Sequence, residues 1–164
     1  MSAWNNAQTA WKVIENNHPT ANATSLFASA LPTGVTADQL TGGGRRQISW
    51  RWDSGIVLKD FTLDVTVVWH HSSRYKNGGA WIPAAYVLPD LNVGWLGDYT
   101  INLSVTAQTP FTTGTETAPV VVLPLLIEMH WTNWLFSNVT PAQVSLYGNG
   151  LVEADVKDTY GVSL

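Results

Sequence analysis

The sequence predicts an all-β fold: a two-sheet antiparallel β-sandwich of about eight strands, jelly-roll-like, with a short N-terminal amphipathic helix. Three observations carry that expectation. Apolar and polar residues alternate over several stretches, most cleanly from Phe61 to His70. Turn residues punctuate the chain roughly every 8 to 15 positions, the rhythm of short strands joined by tight connections. Charged residues make up only 12% of the chain, so Thr, Ser, Asn, Gln and Gly must cover the surface, as they do on sandwich exteriors.

The 164 residues suffice for one core and not for two ordinary domains, so a single domain is expected over 1–164. Within it the reading places a helix at 3–16, a connecting segment at 18–44 and the sandwich at 45–158. In the helix, Trp4, Ala7, Trp11 and Ile14 fall on one face at helical spacing, Ser2 caps the start and Asn17-His18-Pro19 ends it. That face suits either docking on the β-domain or entry into a membrane interface through Trp4 and Trp11.

Each strand has its own local reason. Gln47–Trp52 puts Ile48, Trp50 and Trp52 on one face. From Phe61 onward, Leu63, Val65, Val67 and Trp69 face inward against Thr62, Asp64, Thr66, Val68 and His70. Asn77-Gly78-Gly79 is a hairpin turn, because a primed two-residue turn needs positive φ at both positions. Trp81–Leu88 returns from it, with Pro83 marking an edge or a bulge, and Pro89-Asp90 opens another turn before Leu91–Trp95. Tyr99–Gln108 alternates, Thr109–Pro119 reads as a long loop, and Val120–Trp131 is a strand interrupted at Pro124. Gln143–Tyr147 and Leu151–Lys157 close the chain as a hairpin around Gly148-Asn149-Gly150.

Composition narrows the chemistry. The net charge is −4, and of eight Lys and Arg only Arg45, Arg46 and Arg51 cluster, so nucleic acid is not expected as a partner. No cysteine is present, which removes disulfides and thiolate metal sites and leaves the redox compartment open. Nucleophile elbows, phosphate loops, dinucleotide fingerprints and helical zinc motifs are all missing from the sequence. His70 and His71 are adjacent and would point to opposite faces of a strand. Glu128 and His130 share a face but come with no identified third ligand. The expectation is a non-enzymatic protein with no cofactor and no metal.

The aromatic residues point to recognition. The sequence holds nine Trp, five Tyr and four Phe. Trp50, Trp52, Trp69 and Trp131 belong to apolar strand faces and to the core. Tyr75, Trp81, Trp95, Tyr99, Trp134 and Phe136 sit at or beside turns, where a ring can stack on a sugar or rest at lipid headgroup level. These six are the candidate ligand- or membrane-binding residues. The plan of an amphipathic helix followed by a cysteine-free, aromatic-rich sandwich resembles that of actinoporin-type pore-forming proteins. That resemblance is one of layout, and no functional residue is carried over from it.

The expected function is therefore recognition of a membrane surface or glycan, lectin-like or in the manner of a small pore-forming toxin. It would act outside the cell without a cleavable signal peptide, and could form a homo-oligomer. The alternative is a self-assembling structural subunit, such as a virion capsid, fibre or tail component.

Overall fold

The computed structural model describes residues 8–15, 18–19, 26–32, 34–53, 61–76, 78–93, 100–132, 137–156 and 162–163, with backbone only in 8–27 and 162–163. Their secondary structure is almost wholly extended. In order come β1 (Gln8–Glu15), β2 (His18–Pro19), β3 (Leu26–Ala30), β4 (Gly44–Asp53), β5 (Phe61–His71), β6 (Ser73–Tyr75) and β7 (Gly78–Val93). These are followed by β8 (Thr100–Ala107), β9 (Phe111–Thr115), β10 (Ala118–Thr132), β11 (Ser137–Tyr147), β12 (Val152–Val156) and β13 (Val162–Ser163). A single 3-10 turn at Ala37–Gln39 interrupts them. The fold is all-β, as the alternation predicts.

All of these strands join one hydrogen-bonded sheet. One wing runs β13-β4-β5-β7, with β3 and β6 also on β7. The other runs β12-β11-β10-β8-β1-β2, with β9 on β10. A single parallel bridge, Ala80 to Val120, joins the wings at one corner. Hydrogen bonding therefore passes round the corner, and the sheet curls into a nearly closed, barrel-like body instead of two separately bonded sheets. The lengths of β7 and β10, 16 and 15 residues, allow this, since each reaches past its own wing to meet the other.

Alternate side chains fill the interior. Phe61, Leu63, Val65, Val67 and Trp69 of β5 are buried, as are Ile48, Trp50 and Trp52 of β4. From the second wing come Ile101, Leu103 and Val105 of β8 and Leu125, Ile127 and Met129 of β10. Phe61 and Trp131 meet across the wings with ring centroids 6.2 Å apart. Trp50 and Trp52 pack edge to face at 5.6 Å.

Several local expectations give way to pairing. Gln8–Glu15 is strand β1, not helix, and pairs antiparallel with β8, Trp11 standing opposite Leu103. Thr9, Trp11, Val13 and Ile14 are strand-favouring residues, and without β1 the edge of β8 would show unpaired backbone groups. Residues 3–7 and 16 of the expected helix lie outside the described residues. Trp81–Leu88 lies within a central strand, β7 taking β5 on one side and β3 on the other; of the edge or bulge expected at Pro83 it is the second that is found, a register shift of β3 between Ala28 and Ala30. Pro89-Asp90 is not a turn; β7 runs straight through it. The expected loop at 109–119 contains β9.

The prolines explain how such strands stay continuous. Pro83 sits at the register shift between β3 and β7, and Pro124 falls between the β8 and β9 ladders. At these two positions the missing N–H coincides with a place where the neighbouring ladder shifts or changes, so no regular ladder is broken there.

Among the described residues, one buried side-chain donor has no acceptor: the indole Nε1 of Trp50. A stranded buried donor costs about 1–3 kcal/mol. Trp50→Phe removes it, and that gain offsets the lost ring contacts. Denaturant titration should therefore place Trp50→Phe within about 1 kcal/mol of the parent, whereas Leu103→Ala should cost about 3 kcal/mol through its cavity.

Candidate functional site

The barrel closes at a seam where the ends of β4 and β5 meet the tight β11–β12 turn. That turn is built locally: the Gly150 N–H donates to Tyr147 O at 3.0 Å, the Tyr147 N–H to Leu151 O at 3.0 Å, and the Leu151 N–H to Asn149 Oδ1 at 3.1 Å. Four bonds then tie it to the rest of the sheet. The Trp69 indole N–H donates to Tyr147 O at 3.3 Å, Arg46 Nη1 to Gly150 O at 2.9 Å, and the Gly148 N–H to Val121 O at 2.8 Å. The Ser72 N–H donates to Gly148 O.

Glycine is required at two points of this turn. A Cβ on Gly148 would stand 2.1 Å from the carbonyl oxygen of Ala80, and Gly150 has φ +91 with its missing Cβ 2.9 Å from His71 Nδ1. The His71 ring thus lies against backbone, with Nδ1 2.9 Å from Ser72 Oγ. Burial, and then the positive charges of Arg46 and His70, lower its pKa below the ordinary histidine value.

Around the seam the surface carries a sequence of characters. Arg45 and Arg46 are exposed at the start of β4, and Arg74 and Lys76 at β6 and just beyond it. Leu151, directly after the turn, is 59% exposed. Glu153 and Asp155 are exposed on β12. Burial, and then a hydrogen bond to Glu153, raise the pKa of the Tyr147 phenol. Beside Asp155, a shallow groove on the outer face of β10-β11-β12 is lined by Leu126, Pro141, Gln143 and Asp155. Farther along β4, Arg51 grips Asp64 with two bonds of 2.7 Å and holds that carboxyl below the usual carboxylate range.

Of the aromatic residues singled out by sequence, Tyr75 and Trp81 have described side chains. Trp81 is 6% exposed and its Nε1 donates to Gly78 O at 3.2 Å, so it belongs to the core and presents no face to a ligand. Its position two residues past a hairpin turn suggested exposure, but the strand runs straight into the barrel wall. Tyr75 is half-buried, with Lys76 Nζ 5.1 Å from its ring centroid. Trp4, Trp95, Tyr99, Trp134 and Phe136 lie outside the described residues, and so does the side chain of Trp11.

The histidines do not converge. His70 stands opposite Arg45 on the first wing and packs edge to face on Tyr86, whereas His130 stands opposite Asn102 on the second. Among the described residues, no group of three His, Cys, Asp or Glu could hold a metal ion. The sequence singles out neither Phe111, 50% exposed on β9 where a loop is expected, nor Leu151, 59% exposed at the start of the expected last strand.

Comparison with protein-family models, curated proteins and solved structures finds no match.

Gly148→Ala should destabilise the protein by about 3 kcal/mol or more, because its methyl meets backbone that cannot step aside. The unfolded chain, with an ordinary histidine pKa, binds a proton more readily than native His71 does. Urea midpoints should therefore fall as pH drops below about 6.5, and His71→Gln should flatten that part of the profile.

Proposed function

We propose that the protein works through contact between surfaces, as a non-enzymatic structural subunit that assembles with copies of itself. One observation carries this reading: Leu88, Phe111, Val139 and Leu151 stand exposed on a body that has few charges to keep copies apart. Soluble monomers rely on surface charge for mutual repulsion, and 12% charged residues supply little of it. Thr- and Ser-rich outer faces can be buried between subunits at small desolvation cost when their hydroxyls find partners. The two wings, packed face to face as a jelly-roll-like sandwich, would form a rigid unit suited to a capsid, fibre or tail component.

A second reading is recognition of a membrane surface or glycan, lectin-like or toxin-like. Half-exposed Phe111 favours it, at the base of the uncharged strand Thr112–Thr115, because an exposed ring can stack on sugar or rest among headgroups.

Sedimentation velocity with negative-stain microscopy separates the two. Assembly predicts species well above the 17.9 kDa chain that grow with concentration. A single 17.9 kDa species at every concentration would sink it. Co-sedimentation with liposomes, or a glycan-array signal, that Phe111→Ala abolishes would move the assignment to the second reading.

A further inference from the structure

We propose that the seam is a two-fold contact between copies of this chain, with Leu151 at its centre and charged pairs on either side; this rests on the assembly reading. The charges are unevenly placed. Arg45, Arg46, Arg51, Lys59, Arg74 and Lys76, all but two of the eight Lys and Arg, fall within residues 44–76. β12 and the turn before it carry Glu153 and Asp155 and no basic residue.

The Arg46–Gly150 bond sets these two regions side by side. Across the seam the surface runs from Arg46, through exposed Leu151, to Glu153 and Asp155, about 13 Å farther along the extended chain. A row ordered basic, apolar, acidic is complementary to itself when turned by a two-fold axis through its middle. Leu151 then meets Leu151 of the second copy, Arg46 faces the second copy's Glu153 and Asp155, and the reverse pair forms at once. An apolar centre bounded by charge is how protein interfaces are ordinarily arranged.

The alternative use of this edge, pairing β12 with β12 of another copy, is opposed by the same residues. Antiparallel self-pairing would bring the two copies' Glu153 and Asp155 close together, and like charges on neighbouring strands guard an edge against extension. The contact is therefore between side chains and does not extend the sheet.

Sedimentation velocity of the full chain tests this. The parent should associate, and raising salt from about 0.05 to about 0.5 M should weaken the association. Glu153→Lys/Asp155→Lys and, separately, Arg46→Glu should each weaken self-association at least about tenfold, with melting temperature checked against the parent. An equimolar mixture of the two variants should associate again, since every pair is then complementary, and this restoration also shows that both variants are folded. If the parent associates but both variants match it, or the mixture fails to recover, this contact is wrong while assembly through another surface stands. A parent that stays monomeric at all concentrations overturns the contact and the assembly reading together.

Discussion

Closing a curled sheet is the constraint from which the rest of this molecule follows. The two wings share a ladder bridge at Ala80 and Val120, and directly beside it the β11–β12 turn is held to Val121, Ser72, Arg46 and Trp69. The bonds at that turn are few, but they close over Trp69, the bulkiest inward residue of β5, whose indole N–H they also satisfy. Without them the sheet would open and expose its buried rings to water, a change opposed by the full hydrophobic term. Approach this close requires bare backbone at Gly148 and Gly150, so two residues with no side chain govern the contact.

The same closure organises the surface. Holding the start of β4 against the start of β12 brings together residues about a hundred positions apart in the chain, one set basic and the other acidic, with an apolar side chain between them. In a chain this poor in charge such a juxtaposition is conspicuous, and it gives the assembly reading a location. Among the described residues, by contrast, Trp50, Trp52, Trp69 and Trp81 are structural: they line the interior and fill a wide barrel core.

Much of the fold was legible in one dimension. Period-two patterning assigned the inward faces of β4, β5, β8 and β10 correctly, because one-sided burial leaves its mark on every second residue. Three departures have a common source. Pro124 lies inside β10 without interrupting it, because the N–H it lacks falls between the β8 and β9 ladders. Trp11 and Ile14 sit at helical spacing, yet both lie in β1, where strand-favouring residues pair with the edge of β8. Trp81 follows a turn, which leaves its burial open in one dimension, and the central strand after the turn buries it.

The sequence by itself determined the local alternation, the turn residues and the lack of charge, because these depend on neighbours within a few positions. Only the tertiary structure decided which strand lies beside which, that hydrogen bonding continues round the corner, and that Arg46 meets Gly150. Those outcomes depend on contacts between distant segments, selected by mutual packing and backbone satisfaction, and no local pattern in the chain records them.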